Sequence, residues 1–392
     1  MALTKIKKAL GFSVEEKALT LTDTDVFPFF GVTPTASGVS VGPSNAMRVP
    51  AVNCAVSLIS ETIGDLPFKL YDRASKETLK DHPVYRLVHD EANEWTNAND
   101  LRKQLTRDAL LHGSGHALLT RLNDETPFEF RRLEPSKIQQ RFEPDGEPFY
   151  LVSTDQGQER WSYRDVLRIE VSGGVSPIAM GREAIALALT FETYMARQLK
   201  NGARPSIVIE AEKALTAEAK KKILSDWELC FSGDNTGKPA FLDEGMKARP
   251  ISLSLADAQF AESRLDQIRE IARVFNIPAA MLGELSRATW SNLEQLNRQF
   301  YDMTLKPWLT DWSWAYARCL LTPEERRESY FEAVTDDLLT TDTAARATAY
   351  GQYRSMGVLS ANDVRAGLNL PPREGGDELS NPYTTTQKEQ AE

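Results

Sequence analysis

Two long amphipathic stretches, residues 177–200 and 254–276, flank a short unit with strand, helix and strand signals of its own, and this constrains the fold most. In the first stretch Ile185, Leu189, Tyr194, Met195 and Leu199 recur at helical spacing, and Asn201-Gly202 ends the pattern. Ala184, Ala186, Ala188 and Ala196 on the same stretch permit a close helix neighbour. The second stretch carries Phe260, Leu265, Ile268, Ile271 and Phe275, opens on the capping pair Ser254 and Asp257, and stops before Pro278. Between them, residues 206–210 are strand-like, 216–230 helical with Trp227 on the apolar side, and 240–251 a hairpin turning at Asp243-Glu-Gly245. A strand–helix–strand insert between two helices makes the helices lie side by side and the insert project beyond them.

The rest of the chain reads around that stalk as α+β. Residues 1–45 form an arm: a basic amphipathic stretch from Lys5 to Leu10, then a Thr/Ser/Gly/Pro-rich run that cannot supply a core. A helix opens at Pro50, carrying Cys54, Ala55, Leu58, Ile59 and Ile63 until Gly64 and Pro67 stop it. A strand at 68–71 follows, then helices over 83–89 and from Asn99 or Asp100 as N-cap through Leu111. From 116 to 171, short alternating runs at 116–121, 138–142, 149–153 and 166–171 imply a small antiparallel sheet. After the polar stretch 283–292, Ser291 and Glu294 open a helix to about Leu321, which Pro307 should kink. Trp290, Trp308, Trp312 and Trp314 crowd this region; at helical spacing Trp308 and Trp312 read as core or subunit interface, the alternative being a base-stacking groove. Helices at 341–355 and 360–366 and a polar tail close the chain.

Charge narrows the function. The 392 residues carry 56 acids against 46 Lys and Arg, a formal net charge of −10, which argues against a protein that coats nucleic acid. Residues 203–253 hold eight acids and eight bases, a neutral insert suited to a protein partner. Residues 335–392 hold nine acids and five bases. Cys54, Cys230 and Cys319 are far apart, with neither a disulfide framework nor a C-x-x-C pair, which fits a reducing compartment. Without a signal-peptide core or an apolar run near the roughly 18 residues of a membrane span, the chain reads as cytoplasmic, neither secreted nor inserted.

Catalytic motifs are weak. His112-Gly-Ser-Gly-His116 spaces two histidines as a helical metal pair would, but its glycines favour a helix-to-strand turn and a third ligand is missing. Gly233-Asp-Asn-Thr-Gly237-Lys238 is one residue short of a phosphate loop, and Pro239 replaces the hydroxyl that would hold magnesium. Glu210 with Glu212, and Asp336 with Asp337, read as solvated charges. The sequence therefore assigns no catalytic residue, metal or cofactor. The competing reading is a soluble α/β enzyme with a site around His112, His116 and Gly237-Lys238.

Six segments in one order resemble the portal, or head-tail connector, proteins of tailed bacteriophages and of phage-like gene transfer agents. They are AVNCAVSLISETIGDLPFKLYDR (51–73), HPVYRLVHDEANEW (82–95), RRLEPSKIQQR (131–141), GREAIALALTFETYMARQLKNGARPSIVIE (181–210), GKPAFLDEGMKARPISLSLADAQF (237–260) and IARVFNIPAAMLGELSRATWSNLEQLNRQFYDMTLKPWL (271–309). The resemblance spans about residues 48–372, and the last segment is the most specific.

The resemblance implies a portal fold and a ring of about twelve subunits at one capsid vertex of a virion or phage-like particle, made in the bacterial cytoplasm. Double-stranded DNA would pass through it during packaging and ejection. Implied partners are the terminase large subunit, then a head-tail adaptor, and the major capsid protein, with no membrane. Residues 46–176 would be an α/β wing, 177–202 and 254–276 paired stem helices, 203–253 a small α/β clip, 277–333 the tunnel loop, kinked tunnel helix and wing return, and 334–392 a short α-helical crown and tail. Ser286, Arg287, Thr289 and Asn292 would face the DNA channel, although Arg287 could instead pair with Glu284 or Glu294. Arg197, Lys200, Arg264 and Arg269 are stem candidates for the lumen, and Pro307, Trp308 and Trp312 would kink and pack the tunnel helix. Glu228, Asp234, Asn235, Lys238, Asp243 and Glu244 are the clip's docking candidates.

Overall fold

The computed structural model describes residues 35–200, 207–210, 216–231, 247–250, 254–284, 293–335, 343–368 and 370–379. Helix α1 (Pro50–Asp65) has Pro50 in its first turn, where the missing N–H costs nothing, and buries Val52, Val56, Ile59 and Ile63. Strand β1 (Phe68–Asp72), helix α2 (Tyr85–His89) and helix α3 (Ala98–His112) follow. The N-cap of α3 is Asn97 rather than Asn99 or Asp100: its Oδ1 accepts the Asp100 N–H at 2.6 Å, which puts Asp100 in the first turn, where a carboxylate suits the helix dipole.

Six strands come next: β2 (Ser114–Arg121), β3 (Pro127–Leu133), β4 (Ile138–Phe142), β5 (Pro148–Thr154), β6 (Gly157–Ser162) and β7 (Val166–Glu170). They form two antiparallel sheets, β3-β2-β7 and β4-β5-β6, rather than one. Of these six, the two not expected from the sequence, β3 and β6, lie at sheet edges and lack a clean alternation of apolar residues.

The helix expected over 177–200 is broken near its start. A turn at Pro177–Met180 ends at Gly181, and helix α4 runs from Arg182 to Lys200. Strand β8 (Ile207–Glu210), helix α5 (Ala217–Phe231) and strand β9 (Lys247–Pro250) follow, with β8 and β9 antiparallel and Ile207 opposite Pro250. The expected hairpin's first arm and turn fall outside the described residues. Helix α6 (Ser254–Val274) returns alongside α4 and also meets α1. At the break α6 leaves no room for a side chain: a Cβ at Gly181 would lie 2.8 Å from both methyls of Val274.

Helix α7 (Leu293–Phe300), a π-helical turn (Tyr301–Leu305) and helix α8 (Lys306–Leu320) lead to β10 (Ser329–Ala333), which pairs antiparallel with β1. One main core unites α1, α3, β1, β2, α6, α8 and β10, and a smaller one lies under β4 and β5. Helices α9 (Thr343–Ser355) and α10 (Ala361–Gly367) close the chain, the second on a capping box between Ser360 and Asp363. Among the described residues, no helix is long and apolar enough to cross a membrane.

Candidate functional site

The sequence reading places the functional loop just after α6, and the structure shows how its two ends are held. Past the end of α6, Asn276 adopts φ +54, a left-handed conformation that Asn tolerates better than most side chains. Its Nδ2 donates to the Met303 carbonyl at 2.7 Å, and the Thr304 hydroxyl donates to the Asn276 carbonyl. Pro307 is the cause. A proline has no N–H for the carbonyl four residues back, here Met303. The disturbance expected at Pro307 takes the form of the π turn, in which the Lys306 N–H reaches the Tyr301 carbonyl, and Asn276 satisfies the carbonyl left over.

The other end is fixed by charge. After Gly283, at φ +89, the buried Glu284 accepts Arg269 Nη2 at 3.0 Å, while Arg269 Nη1 donates to Asp266 at 2.8 Å. Those two carboxylates raise the guanidinium further above its ordinary value, Glu284 first. Glu284, just before residue 285, and the π turn that follows α7 are thus both held by α6 and the turn that ends it.

Within residues 285–292, Ser286, Arg287, Thr289 and Asn292 lie outside the described residues, as do Asp234, Asn235, Lys238, Asp243 and Glu244. Glu228 is on α5 and Lys200 ends α4. Arg197 and Arg264 are exposed on the two long helices, whereas Arg269 is half-buried and paired. The clasp residues Asn276 and Thr304 had no role in the sequence reading. One signal was present: an Asn just past a helical pattern and two residues before Pro278 is a usual left-handed C-cap.

Trp312 is fully buried, donates Nε1–H to Thr106 Oγ1 at 3.1 Å and packs against Tyr316, so α8 is driven into the main core. That burial removes Trp312 from any base-stacking groove. Trp308 is partly buried against the same core, Trp314 is exposed, and Trp290 lies outside the described residues.

The histidine motif is a turn. Gly113 takes φ +99 with the Gly174 carbonyl against it, and Gly115 meets the α3 backbone at Leu105, so neither position has room for a side chain. His112 is exposed. His116 is buried with both ring nitrogens unpartnered, and burial, then Arg168 and Arg318, hold its pKa down to about 3. Burial pushes the Cys319 thiol up to about 11, an inert group that donates to the Val166 carbonyl. Burial, then Glu170, raises Asp311, with no nucleophile bonded to it. Among the described residues no group of His, Cys, Asp and Glu is placed to hold a metal ion.

Comparison with known proteins bears on what such a fold does. The model of the family described as phage portal protein matches residues 50–369. The portal protein of Enterobacteria phage HK97 is 25% identical over 350 residues, 86% of this chain and 82% of its own length. The probable portal protein of Streptomyces phage phiC31 is 28% identical over 371 residues, 87% and 79% respectively. In the neck of a native gene transfer agent particle at C12 symmetry, one chain superposes with a TM-score of 0.58 at 22% identity, covering 90% of this chain and all of that one. The fold is shared along most of the chain with a neck protein of known structure, and the family model spans residues 50–369, so this chain is a member of the phage portal protein family.

Proposed function

We propose that about twelve copies of this chain close into a ring at one capsid vertex, with double-stranded DNA passing through the centre. As a portal protein, the chain is a structural component of the capsid and not an enzyme. The observation that carries the ring reading is the fold shared along nine-tenths of the chain with a neck protein at C12 symmetry. Heterologous contacts that close by rotation suit such a ring. In this reading α4 and α6 are the stem, residues 203–253 the clip, and 285–292 the tunnel loop, with Ser286, Arg287, Thr289 and Asn292 toward the DNA.

The clip would meet the terminase large subunit during packaging and a head-tail adaptor afterwards, through Glu228, Asp234, Asn235, Lys238, Asp243 and Glu244. Its charge balance supports protein partners over bare phosphate. Arg197, Lys200 and Arg264 are the stem charges proposed for the lumen. Arg269, tied to Glu284, serves better as the anchor of the loop. The major capsid protein would surround the wing, and the assembled particle is the site of action.

Negative-stain imaging with native mass measurement tests the ring. Closed rings of about twelve subunits with a central hole are expected; monomers and dimers alone, under assembly conditions and in particles, would overturn the proposal.

A further inference from the structure

An apolar groove of about 260 Å³ lies between α1, α4 and α6, where the two long helices meet the main core. Cys54, Ala188, Phe191, Met195, Ile268 and Ile271 contribute to its walls. Glu192, Arg264 and Gln267 also line it, and the Gln267 Oε1 is buried with no hydrogen-bond partner among the described residues. A buried acceptor without a donor is costly, so the groove asks for an apolar occupant that also brings an N–H.

The chain itself supplies one. The described end of the arm reaches α4: the Ala36 N–H donates to Glu183 Oε2 at 3.0 Å, and Val49, farther along the chain, lines the groove. From Glu183 the groove wall begins five residues along α4 at Ala188 and ends at Met195, roughly 7–18 Å away at 1.5 Å per residue. Just before Thr35, residues 26–32 read VFPFFGV, three phenylalanines and no charge within an otherwise polar arm. An extended chain from Phe30 to Thr35 spans up to about 17 Å, which matches that distance. Pro28 favours extension of the residue before it, and Phe29 and Phe30 each carry a backbone N–H that Pro28 lacks. A cavity of about 150 Å³ already admits a benzene ring, so the groove has room for a phenyl side chain.

We propose that residues 26–32 dock into the groove of their own subunit, with Phe29 or Phe30 as the apolar anchor and a backbone N–H of this segment meeting Gln267 Oε1. The arm then pins the two long helices to α1, fixing the angle between stalk and body.

Cys54 in the groove wall is a ready probe. In a full-length Cys230→Ser background, maleimide modification of Cys54 should be at least tenfold slower than in the same chain lacking residues 1–34, and Phe29→Ser with Phe30→Ser should restore most of the fast rate. Because truncation could alter assembly, a second variant tests proximity directly. Phe30→Cys in full-length protein should form a disulfide with Cys54 under mild oxidation, without a change in subunit mass. Disulfide-linked dimers would place the arm in a neighbouring subunit's groove and overturn docking within one chain. Equal modification rates with and without the arm, or protection that appears only in rings and persists without the arm, would overturn the proposal altogether. Neither outcome touches the ring reading, which stands on the imaging.

Discussion

Arg102 is a charged side chain with no exposure at all, held without a carboxylate. Its Nη1 donates to the Val88 carbonyl at 2.7 Å and its Nη2 to those of Gly64 and Leu66 at 3.1 and 3.2 Å, while the guanidinium lies over the Phe68 ring. These carbonyls sit at the ends of α1 and α2, where helices leave acceptors unsatisfied, so one planar fork closes two helix ends. Arg102→Met should lower stability by about 3 kcal/mol in urea unfolding, and Arg102→Lys should recover little of it, because an ammonium cannot span the three acceptors. His116 makes the opposite case, a buried polar ring with nothing bonded to it. Its folded pKa of about 3 lies below the unfolded value near 6.5, so the unfolded chain binds the extra proton and stability falls as pH drops through that window. His116→Phe should leave stability at pH 7 nearly unchanged and flatten its decline between pH 6 and 4, read from urea midpoints across pH. Neither role was legible in the sequence. Arg102 occurs in an amphipathic helix where a charge reads as solvent-facing, and, Asn99 apart, the carbonyls it holds are 14 to 38 residues away.

At the scale of elements the sequence was read well wherever a local rule decides. The start of α1 at Pro50, the alternating strands and the helix expected at 360–366 follow from neighbours within four residues. The misses came where a distant segment decides. Strand β10 exists because β1 offers it a partner some 260 residues earlier, and position 181, where the helix is broken, admits only glycine because Val274 fills the space a Cβ would need. Gly181→Ala should therefore cost about 1–3 kcal/mol despite its better helix propensity, and Val274→Ala in the same chain should relieve most of that cost. The clasp at the π turn gives a second test. Asn276→Leu loses both the left-handed preference and the bond to Met303, so amide exchange across residues 303–306 should speed up by at least tenfold, whereas Asn276→Asp keeps the backbone conformation and should have a smaller effect. The candidate loop was legible only as a polar stretch between two helices. Its anchors were not, because Arg269, Glu284 and Met303 converge through the turn at Asn276.

For the whole molecule, the acidity seen at the outset and the passage of DNA are compatible. A channel that neutralised many phosphates would release counterions and hold the duplex, stalling a motor. With a net charge of −10 and Arg269 already matched by carboxylates, the ring should bind duplex DNA weakly. The slope of log Kobs against log salt should stay shallow, equivalent to a few phosphates at most, as measured by fluorescence anisotropy of a short duplex. A slope near that of a tight DNA-binding protein would contradict the proposed sliding channel.

The described part of the chain beyond Ala333 adds no buried hydrophobic side chain, yet it exposes Tyr353, Met356, Val358, Leu368, Leu370 and Leu379. Within one subunit, then, α9 and α10 contribute no apolar stability to the body, and removing residues 343–392 should leave its melting temperature nearly unchanged. Apolar cover for such a segment from a neighbouring molecule would grow with that molecule's concentration. In the proposed ring these exposed apolar side chains would face subunit neighbours, so the order of the two C-terminal helices should rise when the ring closes.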